Sequence, residues 1–208
     1  GKNQKTVPVT DFSDIFDAVS RGRVRHGILP IENSLAGSIH KHYDLLLQSD
    51  LHIVGEVLLG ISHYLIANRG VSRRSIRRVY SNPVALDQCK KYLQRHRSLE
   101  TVAVSNTAAA VKMIKTEGMK DAAAIASMQA AIDYDMAVLA RHIEDNRTNT
   151  TRFWVLAKKP IQKSRMSGPD MKSSIVFSTR NIPGGLYKSL SVFALRDIDL
   201  FKIESRPR

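Results

Sequence analysis

The runs RRVYSNPVALDQCKKY (77–92), VAVSNTAAAVKMI (102–114) and AAAIASMQAAIDY (122–134) decide the fold class, because each repeats one unit: apolar strand, polar turn, helix. In the first, Arg77–Ser81 predicts a strand and Pro83–Tyr92 a helix. Pro83 sits in the first turn, where no intrahelical N–H is needed, and Asn82 is the candidate cap. In the second, Val102–Val104 leads through Ser105-Asn106-Thr107 into an alanine-rich helix over Ala108–Ile114. In the third, Ala122–Ala126 is a strand and Met128–Tyr134 a helix. Three such units in succession indicate an α/β domain with some parallel strands. Their polar turns then gather on one sheet edge, where backbone N–H groups at helix starts favour anions.

Toward the N-terminus, Asp11–Val19 predicts a helix capped by Asp11, with Phe12, Ile15, Phe16 and Val19 on one face. His26–Pro30 reads as a short strand stopped by Pro30, and a loop follows over Ile31–Gly37. His40–Leu47 is helical in pattern, and Leu51–Leu59 and Ile61–Ala67 are strands broken near Gly60. Toward the C-terminus, the polar segment Thr148–Phe153 feeds a strand over Phe153–Ala157. Residues 158–172, with Pro160, Ser164, Ser167, Gly168 and Pro169, have linker composition. Beyond them Ser174–Ser178 predicts a strand, Asn181–Gly185 a turn, Leu186–Leu195 a helix and Ile198–Ile203 a strand. This βαβ-like unit is too small for a core of its own.

With 208 residues, 43% of them hydrophobic, the chain can bury a substantial core. No run reaches the roughly 18 apolar residues of a membrane span. It opens on Gly1-Lys2-Asn3, neither an initiator Met nor a secretory stretch, so the expectation is a chain trimmed of any targeting segment. A single Cys89 allows no internal disulfide and no cysteine-based zinc site, which suits a reducing compartment. The seven histidines are scattered, and His40 and His42 are spaced for opposite faces of a strand, so no metal site is expected. A net charge of +13 suggests either nucleic-acid binding or a site for small anions. The basic residues fall in short groups such as Arg73, Arg74, Arg77 and Arg78 without interleaved aromatics, as on solvated helix faces; neither a nucleic-acid nor a membrane partner is expected. No dinucleotide, P-loop, His-Glu-x-x-His or Gly-x-Ser-x-Gly motif is present, so no cofactor is expected.

Four polar segments remain as candidate sites: Glu32-Asn33-Ser34, Ser81-Asn82-Pro83 with Gln88, Ser105-Asn106-Thr107, and Thr151-Arg152. Each singly has a structural reading as a cap or surface residue. Together on one sheet edge they would form a binding site.

The run Leu29-Pro30-Ile31-Glu32-Asn33-Ser34 with Gly37, then Tyr43-Asp44-Leu45-Leu46 and Ile53-Val54-Gly55-Glu56, is similar to the prephenate and arogenate dehydratase family. So is the downstream order Ser81-x-Pro83-x-Ala85-Leu86-x-Gln88-Cys89, Ala123-Ala124-Ile125-Ala126 and Asn149-x-Thr151-Arg152-Phe153. Gly185-Leu186-Tyr187 and Lys202-Ile203-Glu204-Ser205-Arg206-Pro207 resemble the family's ACT regulatory domain. His40, Tyr43–Leu47 and Leu51–Val57 are most similar to the plant-type arogenate enzymes.

The resemblance implies a periplasmic-binding-protein-like catalytic domain over 1–157, its two α/β lobes flanking a cleft. It further implies a linker over 158–172 and a truncated ACT domain (ferredoxin-like βαββαβ) over 173–208. Thr151, Arg152 and Glu32 take catalytic positions; Asn33, Ser34, Ser81, Gln88 and Thr107 take substrate-binding ones. Gly184, Gly185, Leu186, Glu204, Ser205 and Arg206 take the phenylalanine-effector site. A homodimer or tetramer is implied, as is a chloroplast stroma location with the transit peptide absent. The family's opening strand, glycine-bearing turn and first helix would precede Gly1. Asn82 and Val84 stand where the family usually has His and Gln, which keeps open a catalytically silent amino-acid sensor of the same fold. A solute-binding protein shares the two-lobed cleft but gives Thr151-Arg152-Phe153 no special role.

The implied reaction expels CO2 and the ring hydroxyl to aromatise a cyclohexadiene, giving phenylpyruvate from prephenate or phenylalanine from arogenate. Hydroxide is a poor leaving group, so a donor must protonate it as it departs, and Thr151 is the candidate, given a supporting network. A cation on the departing carboxylate would stabilise the ground state, so Arg152 is expected to grip the side-chain carboxylate, with Glu32 positioning it or another donor.

Overall fold

The structure is a computed structural model that describes residues 5–162 and 171–205. Its contacts divide into two units, 1–161 and 162–208.

The first unit holds two sheets. One is four-stranded and antiparallel, β2(Gly37–Ser38)-β1(His26–Asn33)-β9(Thr150–Ala157)-β3(His52–Gly60). Helix α1 (Phe12–Ser20) packs on it, started by Asp11 and Asp14 in a reciprocal capping box. Phe16 and Val19 are buried against Leu29, Ile31, Trp154 and Leu156, each worth about 1.5–3 kcal/mol. Helix and strand approach so closely that a Cβ on Gly27 would collide with Ile15 Cγ2 and meet Val19 Cγ2 at 3.1 Å. Tyr43 of α2 (His40–Leu47) meets Trp154 edge-on at 5.1 Å between ring centroids, so Trp154 is a packing residue.

Two expectations fail here. Strand β1 does not stop at Pro30 but runs on through Glu32 and Asn33, which are strand residues and not loop. At Pro30 only β9 lies alongside, because β2 pairs from Glu32 onward; the missing N–H costs no ladder bond on the open side. The ladder then shifts register between Pro30 and Glu32, and the Pro30 carbonyl accepts from His42 Nδ1. Strand β9 likewise begins at Thr150, so Thr151 and Arg152 belong to it.

The second sheet has the order β6(Glu100–Ala103)-β5(Arg78–Ser81)-β7(Ala122–Ala126)-β4(Tyr64–Ala67)-β8(Ala137–Ala140). Strands β6, β5 and β7 are parallel. Each ends in a capped helix, as the repeated pattern predicts. Asn82 Oδ1 accepts from Ala85 N (2.7 Å) at α3 (Pro83–Gln88), and Asn106 Oδ1 from Ala109 N (2.7 Å) at α5 (Thr107–Thr116). Ser127 Oγ accepts from Ala130 N (3.2 Å) at α6 (Met128–Asp133). The single helix expected over Pro83–Tyr92 is two, α3 and α4 (Lys90–Gln94), parted at Cys89. Asp145 divides them: its N–H donates to Gln88 O (2.7 Å) while its carboxylate accepts from Lys91 N (3.0 and 3.2 Å), displacing the helix's own ladder.

The chain crosses between the sheets twice, at 61–63 and 141–149, and the crossings are bonded to each other. Ile61 N donates to Asn149 O (2.8 Å), Ile143 N to His63 O (3.0 Å) and His63 N to Glu144 Oε2 (2.8 Å).

In the second unit the helix forms, as α7 (Gly185–Ala194), but the strands expected at 174–178 and 198–203 do not. A strand exists through its ladder, and neither segment has a ladder partner among the described residues; Val176 and Phe201 stand 65% and 77% exposed. Gly184 starts α7 with φ +75°, and a Cβ on Gly185 would lie 2.7 Å from Arg180 O, so the turn requires both glycines. Within the expected 158–172 linker, residues 163–170 lie outside the described residues.

Candidate functional site

The expected single row of polar turns is in fact two groups on two sheets. Glu32, Asn33, Thr151 and Arg152 lie on β1 and β9 of the antiparallel sheet; Ser81, Gln88 and Thr107 belong to the parallel one. A cavity of about 290 Å³ lies nearby, and of the expected site residues only Gln88 lines it. The turn after β1 contributes Leu35 and Ala36, α3 contributes Val84, Asp87 and Gln88, and the second crossing contributes Glu144, Asp145, Asn146 and Asn149.

Side chains alternate across a strand, so Thr151 and Arg152 leave β9 on opposite faces. Thr151 pairs with Asn33 in register, and Arg152 with Glu32. Two separate clusters result.

In the first, Asn33 is fixed at both ends. Its Oδ1 accepts from Leu35 N and Ala36 N, both at 3.0 Å, which leaves its Nδ2 to donate to Asn149 Oδ1 (2.7 Å), Thr151 Oγ1 (3.0 Å) and Thr150 O (3.2 Å). Thr151 Oγ1 thus accepts a hydrogen bond and keeps its own proton to give. Ser34 staples the turn to the crossing, its Oγ accepting from Thr150 N (3.0 Å) and donating to Thr148 O (3.4 Å). Asn149 is 1% exposed, and its Nδ2 has no hydrogen-bond partner among the described residues. A buried donor left so costs about 1–3 kcal/mol.

In the second cluster the Arg152 guanidinium lies 3.7 Å from Glu32 and 3.9 Å from Glu56. The two carboxylates flank one cation: the expected Glu32, and Glu56, which sequence reasoning passed over as a site residue.

Across the cavity, Gln88 Oε1 accepts from His63 Nε2 (2.8 Å). The backbone of His63 is held by Glu144, a buried carboxylate that also lies 3.5 Å from His142 Nδ1. Ser81 is fully buried and its Oγ donates to Ile125 O (2.7 Å), tying β5 to β7. Thr107 is the first residue of α5, whose cap is Asn106. Neither Ser81 nor Thr107 lines the cavity. Cys89 is fully buried with its thiol pushed up to about 12 by desolvation, then by Asp145 and Glu144, so it is no nucleophile near neutrality. In the second unit, Gly184 and Gly185 start α7, Leu186 is half exposed, Glu204 pairs with Lys202 (3.2 Å) and Ser205 is exposed; Arg206 lies outside the described residues.

Against known proteins, residues 1–161 match the prephenate dehydratase family model. The chloroplastic arogenate dehydratase/prephenate dehydratase 2 of Arabidopsis thaliana is 50% identical over 207 residues, covering 99% of this chain and 53% of that protein. The chain thus spans about half the length of the curated relatives it matches. Among solved structures, prephenate dehydratase of Arthrobacter aurescens, in complex with L-Phe, superposes with a TM-score of 0.80 at 28% identity, over 97% of this chain and 67% of that one. The quorum-quenching acylase GqqA gives 0.79 at 29% identity, over 97% and 72%.

Proposed function

The chain belongs to the prephenate dehydratase family, and from that premise we propose that it aromatises arogenate to L-phenylalanine, prephenate to phenylpyruvate, or both, with loss of CO2 and water. The observation that carries this reading is the Asn33 Nδ2 to Thr151 Oγ1 hydrogen bond (3.0 Å) beside the intersheet cavity.

In the proposed step the C–CO2⁻ bond of the ring breaks and its electron pair enters the diene. The C–O bond on the opposite ring carbon breaks in turn, and the departing oxygen takes a proton from Thr151. One proton is consumed from solvent for each CO2 and water released, and no oxidant or reductant is needed. As Thr151 gives up its proton, charge grows on an oxygen that already faces the Asn33 amide, and a fixed donor there lowers the barrier. A positioned proton donor contributes about 10²–10⁴-fold. Gln88, oriented by His63, binds from the facing wall; Arg152, flanked by Glu32 and Glu56 on the other face of β9 but only two residues from its first residue Thr150, reaches the side-chain carboxylate round the strand's end. Ser34 keeps the turn after β1 in place, and Ser81 and Thr107 serve by shaping the facing sheet edge.

The wider reading follows the relatives. Residues 173–208 are part of an ACT-type unit in which Gly184-Gly185-Leu186 with Glu204, Ser205 and Arg206 binds phenylalanine as effector, in a homodimer or tetramer, and the protein works in the chloroplast stroma. The L-Phe complex of the Arthrobacter enzyme supports the phenylalanine ligand, and the chloroplastic Arabidopsis relative supports the chloroplast. A fold does not fix an activity, and GqqA shares this one. The test is therefore product formation from arogenate and prephenate in parallel, with and without phenylalanine, beside an N-acyl amide substrate. Aromatic product establishes the dehydratase; binding without turnover of either substrate would instead favour the silent sensor.

A further inference from the structure

Asn149 is the residue whose geometry the proposed reaction leaves unexplained. The backbone N–H groups of Leu35 and Ala36 claim the oxygen of the Asn33 amide, so its nitrogen must face Asn149, and Asn149 must receive it with Oδ1. The amide orientation of Asn149 is thereby settled by its neighbours and not by choice. Its carbonyl is held in turn by Ile61 N at 2.8 Å. What remains is Nδ2, itself buried and without an acceptor among the described residues, on a residue that lines the cavity. Buried amide donors are nearly always satisfied, and one held rigid beside a cavity is suited to an acceptor that arrives with a ligand.

We propose that Asn149 is a catalytic residue whose Nδ2 donates to the oxygen that leaves the ring. One amide nitrogen, that of Asn33, bonds both Asn149 Oδ1 (2.7 Å) and Thr151 Oγ1 (3.0 Å), so the two side chains belong to one hydrogen-bond network. Thr151 gives the proton, and Asn149 stabilises the negative charge that grows on the same oxygen before the proton arrives. This inference rests on the dehydratase reading.

The test separates the two roles of the side chain. Asn149→Asp keeps an oxygen for Asn33, deletes the donor and, while ionised, adds a negative charge. In the full chain at pH 8 it is expected to lower kcat on the order of 10²-fold, the typical loss of one oxyanion donor, with KM changed less than about threefold. Asp87, Glu144 and Asp145 also line the cavity, and burial beside them favours the neutral acid, which donates again; kcat should therefore recover as the pH is lowered. A kcat within about threefold of wild type at pH 8, or a loss that does not change with pH, overturns the proposal. If Asn149→Asp does not fold by circular dichroism, Asn149→Ser must keep a higher kcat than Asn149→Ala, and equal values overturn it. The second readout is the side-chain amide resonance of Asn149 in an NMR titration with prephenate, assigned by its absence from the Asp variant. A shift supports the contact; turnover with no shift refutes this inference while the dehydratase reading stands; neither turnover nor binding refutes both.

Discussion

Thr151→Val removes one hydroxyl and keeps the side chain's shape, so it sets the proton-donor role against a structural one. The structural cost follows from the Asn33 amide. Its two hydrogens face three acceptors, Asn149 Oδ1 at 2.7 Å, Thr151 Oγ1 at 3.0 Å and Thr150 O at 3.2 Å, so loss of the hydroxyl leaves two good acceptors and no orphaned donor. The expected stability loss is one net hydrogen bond, about 1 kcal/mol, or a fall in Tm of about 2–4 °C for a chain of this size. The kinetic cost is that of a general acid, about 10²–10⁴-fold in kcat, or about 3–5 kcal/mol in barrier. Catalysis should therefore suffer far more than folding. The assay is kcat for arogenate and prephenate at saturation, with melting curves on the same preparations and Thr151→Ser as the hydroxyl-retaining control. A kcat within threefold of wild type in the folded Val variant, or a Ser variant as inactive as Val, refutes the role of Thr151.

Arg152→Gln leaves Glu32 and Glu56 flanking a neutral amide, so KM should rise about tenfold or more with kcat less affected; equal losses in kcat and kcat/KM would instead place Arg152 in the transition state. Gly27→Ala drives a methyl into Ile15 Cγ2 and is expected to cost about 1–3 kcal/mol in urea titrations, without a change in KM. Because the folded state holds the Cys89 proton to about pH 12, its contribution to stability is complete below the ordinary thiol value of 9.0 and declines above it, at about 1.4 kcal/mol per pH unit. Cys89→Ala should therefore lose less stability than wild type between pH 8 and pH 10 in urea titrations, and identical slopes would show that the thiol does not contribute.

The strand–cap–helix repeats were legible because both halves of the signal are local: Asn82 and Asn106 reach N–H groups three residues on, and apolar spacing marks the strands. Errors arose where a distant segment intervenes. Pro30 reads as a strand terminator until β9 is seen lying on one side only. Cys89 interrupts a helix because Asp145, 56 positions away, takes bonds on both sides of it. Strand β8, four half-buried residues ending the sheet beside β4, carries too short an apolar run to be told from a helix segment. The site residues were recognisable by motif, but their division into a Thr151 cluster and an Arg152 cluster depends on strand faces that became visible only once β9 was known to start at Thr150. Asn149 and Glu56 stand within the quoted motifs, but nothing in the sequence marked them as site residues.

The parallel-containing sheet draws all its strands from residues 64–140, one continuous stretch. The antiparallel sheet does not: β9, its last-made strand, sits between β1 and β3 and pairs with both. During synthesis β1 and β3 therefore emerge with the place between them empty and wait from Gly60 to Thr150 for their partner, about 5–20 s at ordinary translation rates of about 5–20 residues per second. Over that interval Leu29, Ile31 and Ile53 have no sheet to join, and they are the segments a nascent-chain chaperone would have to shield. The same wiring makes Asn33 and Thr151 neighbours only after the rest of this unit has been made, so a chain stalled before Thr150 carries every residue that lines the cavity but lacks the bond from Asn33 to Thr151.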